Sequence, residues 1–196
     1  MEKSEYTCHS GGAIGSDLCW EIEGEKYGVK TIAYSFKHHN TQSKNQLILT
    51  EEELKEGWEH IKKADETLKR KPNANVKPYV YRLLCRNWFQ VKNSDMILAI
   101  GEFSRNRKTV GGGTGWAVQM GIDEGKDVYV FNQPENQWYI WLEPHKSFVP
   151  YYDTPKLTKN FAGIGTRNLS KSGVEAIQKV YKETFKEKNY ETKSEN

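Results

Sequence analysis

Three glycine-rich segments of this chain combine residues that suit the binding of an anion. They comprise residues 10–17, 111–115 and 163–168. Glycine lets the backbone approach a ligand closely, and a glycine turn that precedes a helix presents free N–H groups to a phosphate. A single turn of this kind is a weak signal, because glycine often serves only to reverse the chain. Three of them in one short chain predict a shared ligand site.

Side chains in and near these turns suit an anionic ligand that carries a sugar. Asp17 would accept hydrogen bonds from ribose hydroxyls or cap its own helix, and Arg86 and Arg167 would bind phosphate. The hydroxyl groups of serines and threonines in the turns, and the backbone N–H groups of the glycines, would donate the remaining hydrogen bonds to the ligand. The predicted ligand-binding residues are Ser10, Gly11, Gly12, Ser16, Asp17, Arg86, Gly112, Gly113, Thr114, Gly115, Gly163, Gly165, Thr166 and Arg167.

Each turn lies between a predicted strand and a predicted helix, as in a βαβ unit. Residues 6–9, 95–101 and 159–163 are predicted as the preceding strands, the second of them a short apolar run, and residues 30–35 and 127–131 are predicted as two more. The carboxyl ends of parallel strands meet at one edge of a sheet, where open α/β folds bind ligands. The sequence therefore predicts an α/β fold: a Rossmann-like three-layer sandwich with a mostly parallel sheet of about five or six strands.

The chain length predicts a single domain over residues 1–187, followed by a polar tail at 188–196. Within the domain, residues 36–75 are interpreted as a helical insertion with loops. Residues 132–158 are rich in aromatic residues and proline, which predicts an edge strand followed by covering loops. Two capping boxes mark helix starts, one at Thr50 with Glu53 and one at Ser172 with Glu175.

Composition excludes several classes of protein. Charged residues make up 28% of the chain, but the net charge of +3 is too balanced to predict a nucleic-acid surface. No apolar run is long enough for a membrane helix, and the N-terminus lacks a signal-peptide core. The three cysteines predict reduced thiols in a cytoplasmic protein. Neither Cys-x-x-Cys nor His-x-x-x-His occurs, so we expect no metal site and no cofactor.

The aromatic residues leave their role open. Trp88, Trp116 or the cluster from Trp138 to Trp141 would suit stacking on a nucleobase, but tryptophan also fills cores and interfaces. The cluster makes a homodimer or a higher homo-oligomer compatible with the sequence.

The combination of motifs resembles the SLOG superfamily, which unites DprA/Smf proteins and LOG phosphoribohydrolases in one Rossmann-like fold and includes phage relatives. The chain carries GIGTR at 163–167, SGGAIGSD at 10–17, RNWFQ at 86–90 and GGT at 112–114. The resemblance covers most of the chain outside residues 36–75 and 132–158. It implies a nucleotide site and adds Asn87 to the predicted ligand contacts.

The order of the motifs differs from the family's. The motif that comes first in the family lies near the C-terminus here, so the chain resembles a circularly permuted member. Such a permutation requires the last helix to run back towards the strand at residues 6–9. The ligand edge would be unaffected, because permutation moves no turn within the sheet.

A second departure concerns catalysis. The LOG enzymes carry a catalytic glutamate in the helix after their glycine turn, and the resemblance puts Gln119 at that position and Trp116 at a threonine. Arg86 lies where the family has an upstream arginine. Because Gln119 occupies the position of the family's glutamate, the resemblance adds it to the predicted ligand contacts. A glutamine cannot act as a carboxylate base or nucleophile. The same objection applies to the similar nucleoside deoxyribosyltransferases.

These observations lead to three hypotheses. In the first, the protein binds a nucleotide or an NAD-derived molecule with a phosphoribosyl group, as a sensor or sequestering protein without turnover. In the second, it cleaves an N-glycosidic bond of a nucleotide, as a hydrolase or transferase, with Asp17 or His9 as the candidate catalytic residue. In the third, it binds single-stranded DNA like DprA, which the near-neutral charge disfavours.

Overall fold

The computed structural model describes residues 5–70, 78–104 and 107–186. The predicted tail at 188–196 and the last residues of the predicted insertion lie outside these ranges. In the described part, the helices are α1 (Ser16–Lys26), α2 (Glu51–Leu68), α3 (Pro78–Lys92), α4 (Thr114–Asp123) and α5 (Lys171–Thr184). The strands are β1 (Thr7–Ser10), β2 (Lys30–Ser35), β3 (Gln46–Ile48), β4 (Met96–Gly101), β5 (Asp127–Asn132), β6 (Gln137–Leu142), β7 (Ser147–Tyr151) and β8 (Asn160–Gly165).

All these strands form one sheet in the order β3-β2-β1-β8-β4-β5-β6-β7. The first six are parallel to their neighbours, and β6 and β7 continue the sheet antiparallel. Counted from β8, the five central strands have the order 3-2-1-4-5, as in doubly wound folds. The predicted Rossmann-like three-layer sandwich is confirmed, although the sheet has eight strands rather than five or six.

The additional strands lie where loops were predicted. β3 falls in the segment 36–75, and the segment 132–158 forms two hairpins. Each hairpin turns through a short 3-10 helix with proline near its start, followed by Asn136 or Lys146 at positive φ. These prolines stand in turns and leave the flanking strands free to pair. The predicted edge strand, β6, is therefore an interior strand, and the edge is β7, which contains Pro150.

Helices cover both faces of the sheet. On one face α1 and α5 pack around Trp20, Phe161 and Tyr181. On the other face lie α3 and α4, and α2 packs on both of these helices. The central strand β4 is buried along its whole length, as its apolar run predicts. No helix of the described residues is long and apolar enough to cross a membrane.

The helix starts were only partly predicted. Thr50 and Glu53 form the expected capping box at α2. The box at Ser172 is wrong, because Ser170 is the residue whose hydroxyl accepts a hydrogen bond, from the N–H of Gly173. Serine at the N-cap satisfies an otherwise unpaired N–H of the first turn. Position 170 has the extended backbone that this requires, whereas Ser172 lies within the helix.

The last helix ends beside the first strand. The ring of Phe185, which follows α5, meets the ring of Tyr6 edge-on at 5.0 Å between centroids. The N–H of Thr7 also donates to the carbonyl of Lys159, just before β8. The contact between Phe185 and Tyr6 places the end of the last helix beside the first strand, as a circular permutation would require. The permutation itself stays a prediction.

The close packing of α2 on α3 depends on Gly57, because a Cβ at this position would lie 2.3 Å from the carbonyl oxygen of Cys85. Alanine improves helix propensity by about 1 kcal/mol, but overpacking costs about 1–3 kcal/mol. We expect Gly57→Ala to lower the free energy of unfolding, measured by urea denaturation. Lys55→Ala, on the exposed side of the same helix, should change it by less than about 0.5 kcal/mol. A Gly57→Ala variant more stable than the wild type would contradict this packing.

Candidate functional site

The three glycine turns meet at the carboxyl edge of the sheet, because they follow the adjacent strands β1, β8 and β4. The N–H and hydroxyl of Ser16 donate to the carbonyl of Thr166 at 3.0 and 2.8 Å. The N–H of Thr166 donates to Ile100 at the end of β4. Gly15 has positive φ and approaches the backbone of Arg167 too closely for a side chain. The first and third turns are thus joined by direct contacts.

A cavity of about 500 Å³ lies over this edge. Its volume is in the range of sites for small molecules, which is roughly 300–1,000 Å³. Nine of the predicted ligand-binding residues line it: Asp17, Arg86, Asn87, Gly112, Gly113, Thr114, Gly165, Thr166 and Arg167. A cavity to which all three turns and α3 contribute therefore lies where the shared ligand site was predicted, and the binding of a ligand there stays a prediction.

Arg86 is the most unusual residue of the cavity. Its side chain is 5% exposed, and its Nε and Nη1 have no hydrogen-bond partner in the described part of the chain. The nearest acidic atom is Oδ2 of Asp17, 3.8 Å from Nη1 and beyond hydrogen-bond distance. Glycine is required at position 11, because a Cβ there would lie 1.5 Å from Nη1. Burial lowers the pKa of Arg86, yet a guanidinium stays charged in proteins.

Asp17 faces the same charge from the start of α1. Its Oδ1 accepts a hydrogen bond from the N–H of Gly165 at 3.0 Å. It does not cap its own helix, because the N-cap is Gly15 and no side chain makes a capping bond. Burial raises the pKa of Asp17 to about 6, although the charge of Arg86 acts in the opposite direction.

The turn before α4 presents unpaired backbone donors to the cavity. Among the described residues, no acceptor is bonded to the N–H groups of Gly112, Gly113 or Thr114. A Cβ at Gly112 or Gly113 would meet nothing within 4 Å, so this side of the turn is open. Gly115 is closed in, since a Cβ there would lie 2.0 Å from the carbonyl of Val110. Open N–H groups at a helix start form an anion site.

The remaining wall of the cavity is apolar. It is formed by Val80, Leu83 and Leu84 of α3, with Ala117 and Ile164 nearby. These aliphatic residues offer a surface for a flat ring, next to the polar turns. The sequence left open whether a tryptophan has this role, and no tryptophan of the described residues lines the cavity.

The tryptophans have other positions. Trp116 and Trp138 are buried in the core. Trp88 stacks on His60 with 3.3 Å between ring centroids, and Trp141 packs edge-on against Phe148. The aromatic signal of the sequence therefore belongs to core packing and to the antiparallel extension of the sheet.

Ser10 and Gly12 hold a neighbouring loop instead of lining the cavity. Ser10 donates to the buried carboxylate of Glu21 at 2.6 Å, and Ser43 donates to the same carboxylate at 2.5 Å. Thr41 donates to the carbonyl of Gly12. Burial raises the pKa of Glu21, while the two hydroxyl bonds lower it. This network fixes the loop after β2 to the first glycine turn.

Three further predicted residues lie away from the cavity lining. His9 is buried on β1, where its Nδ1 is 3.0 Å from the hydroxyl of Tyr34. Gln119 is also buried and donates to Asp123 one turn further along α4. Gly163 accommodates the ring of Trp20, which would collide with a Cβ. The periodicity of a helix or strand does not reveal such orientations, which depend on packing.

Sequence reasoning missed several cavity residues. Gln90 is almost fully buried, and its Nε2 has no partner in the described part of the chain. The motif RNWFQ contains Gln90, so that signal was available. The carboxylate of Glu102 and the apolar wall carried no signal of their own. Arg70 carried no signal either; it lies outside the cavity lining, and its guanidinium bonds to the turn before α4.

Comparisons with known proteins found no protein family, no curated protein and no solved structure that matches the chain. Membership of the SLOG superfamily therefore stays a prediction from motifs. What the cavity can bind has to be inferred from its own residues, above all from Arg86, Asp17 and the open turn.

The position of Asp17 predicts a pH effect on stability. Its folded-state pKa of about 6 lies above the usual 3.8, so the folded protein retains the proton over a window in which the unfolded chain loses it. Stability should fall as the pH rises from 4 to 7, by up to about 3 kcal/mol from this group. Asp17→Asn should remove that part of the decline, measured by urea denaturation at several pH values.

The matched control is Asp127→Asn, which removes an exposed carboxylate at the start of β5. Its pH profile should follow that of the wild type. Parallel profiles for Asp17→Asn and the wild type would show that Asp17 titrates normally.

Proposed function

We propose that this protein binds a nucleotide or an NAD-derived molecule with a phosphoribosyl group in the cavity, and holds it without turnover as a sensor or sequestering protein. One observation carries the proposal: the buried guanidinium of Arg86 lines the cavity with two unpartnered nitrogen atoms. An incompletely paired buried charge costs several kcal/mol. A phosphate beside Arg86 would supply the missing acceptors and offset that cost.

The rest of the cavity supports the same ligand class. The N–H groups of Gly112 to Thr114 suit a phosphate oxygen, and Arg167 adds a positive charge at the rim. The aliphatic wall from α3 suits a nucleobase. The surroundings of Asp17 favour binding of the ligand over cleavage of its glycosidic bond, because both carboxylate oxygens already face groups of the protein. Its Oδ1 accepts a hydrogen bond from the N–H of Gly165, and its Oδ2 faces Arg86.

We also propose that the protein works in the cytoplasm, since Cys8, Cys19 and Cys85 are free thiols. Homo-oligomerisation stays a prediction from the sequence. The aromatic cluster adds no support to it, because its residues pack within the chain.

Replacing Arg86 tests the proposal. Arg86→Met should weaken binding of adenosine 5′-monophosphate and ADP-ribose by at least about 30-fold in isothermal titration calorimetry, because truncating one partner of a buried charge pair costs about 2–5 kcal/mol. Arg82→Met, one turn earlier on α3, removes an arginine that pairs with Glu51 at the surface and should leave binding unchanged. Adenosine, which lacks the phosphate, should bind weakly to all three proteins.

The same variants define failure. If neither phosphate compound binds the wild type at millimolar concentration, and native mass spectrometry of protein from cells finds no bound nucleotide, the proposal is wrong. If binding occurs but Arg86→Met retains it, the phosphate lies elsewhere.

One observation favours a second candidate, cleavage of an N-glycosidic bond. Asp17 lines the cavity, and its pKa of about 6 is close to the value that suits a general acid or base near neutral pH. On this candidate, the wild type releases free base from nucleoside monophosphates or NAD, detected by liquid chromatography. Asp17→Asn should then reduce the rate at least about 100-fold. Release of base that survives Asp17→Asn would remove Asp17 from any catalytic role.

A further inference from the structure

Arg70 follows α2 and is bonded to the glycine turn before α4. Its Nη1 donates to the carbonyl of Gly112 at 3.0 Å and its Nη2 to the carbonyl of Val110 at 2.5 Å. The backbone N–H of Arg70 donates to Oδ1 of Asp65 at 2.8 Å, which anchors this arginine to the last turn of α2. One side chain thus joins two carbonyls of the turn to a helix that is remote in sequence.

These bonds determine which way the peptide groups of the turn face. In a planar trans peptide the C=O and the following N–H point in opposite directions. The Gly112 carbonyl is directed at Arg70, so the N–H of Gly113 is directed away from it. The Val110 carbonyl is fixed in the same way, and the following N–H, of Gly111, donates to Glu102 at 2.9 Å. The donors of Gly112, Gly113 and Thr114 are left for a ligand.

The turn needs such support because of its composition. It contains three consecutive glycines, all exposed, and glycine loses more conformational freedom on ordering than any other residue. Ordering one residue costs about 1–2 kcal/mol. Gly115 also fits this arrangement, since a Cβ there would come within 2.5 Å of Nη1 of Arg70.

We infer that Arg70 is a positioning residue: it holds the turn at residues 110–113 in the conformation that binds the phosphate of the ligand, and it adds positive charge behind that turn. The inference rests on the proposed function. It assigns a role in binding to the segment 36–75, which lies outside the motifs that resemble the SLOG superfamily. Arg86, which reaches from α3 to Gly11 after β1, and Arg70, behind the turn after β4, then act on different parts of one cavity.

The test is a titration with adenosine 5′-monophosphate, followed by the ¹⁵N–¹H NMR signals of backbone amides. In the wild type the amides of Gly112, Gly113 and Thr114 should shift, together with that of Gly165 beside Asp17. In Arg70→Met the shifts of the three turn amides should be lost and the affinity should fall about 10-fold or more. The shift at Gly165 should persist at higher ligand concentration.

Two further variants separate position from charge. Arg70→Lys keeps the charge but cannot bridge two carbonyls with a planar fork, so its affinity should lie between those of the wild type and Arg70→Met. Lys62→Met removes an exposed charge from α2 and should behave as the wild type.

The outcomes distinguish the two proposals. If the wild type shows no amide shift with adenosine 5′-monophosphate or with ADP-ribose, and no nucleotide co-purifies with it, the proposed function fails. If the wild type responds and Arg70→Met retains the shifts of the turn amides and the affinity, the proposed function stands and the role of Arg70 is overturned. Equal affinity of Arg70→Lys and Arg70→Met would overturn the contribution of its charge.

Discussion

The burial of one guanidinium next to one carboxylate is the constraint on which the carboxyl edge of this sheet depends. Position 11 has no side chain, and a Cβ there would overlap the guanidinium of Arg86 in its present place. Asp17 faces it from α1 and is fixed by the N–H of Gly165, so the pair draws together β1, β8 and α3. Two charges removed from water need more than each other at 3.8 Å. The fold thus keeps the positive charge of Arg86 incompletely paired among the described residues, and a bound anion would supply the hydrogen-bond acceptors that it lacks there.

Local sequence signals predicted the parts of the molecule that depend on backbone geometry. Glycines between an apolar run and an amphipathic run marked the three turns, and the buried run at residues 96–101 marked the central strand. The motif with Arg86 and Asn87 contains two residues that line the cavity. The sequence left the hairpin region open, because a single sequence does not distinguish a proline in a turn between strands from a proline within an edge strand. Pro134 and Pro144 belong to the first kind and Pro150 lies within a strand.

Side-chain direction was the other part that the sequence left open. Gln119 was expected in the site on the basis of a motif frame, yet its side chain is buried and donates to Asp123 on the same helix. The absence of a carboxylate at position 119 consequently says little about catalysis. The question of turnover now depends on Asp17, whose surroundings are known in detail. Arg70 shows the complementary case, in which a residue without any motif contacts the site through tertiary packing.

The two outer strands of the sheet have a consequence for how this protein behaves in concentrated solution. An exposed strand edge is a template on which another chain can add a strand and aggregate. At one edge, β3 is only three residues long. At the other, Pro150 interrupts β7 with a residue that has no N–H to donate. The short β3 and the proline of β7 both disfavour edge-to-edge pairing of the sheet with another chain.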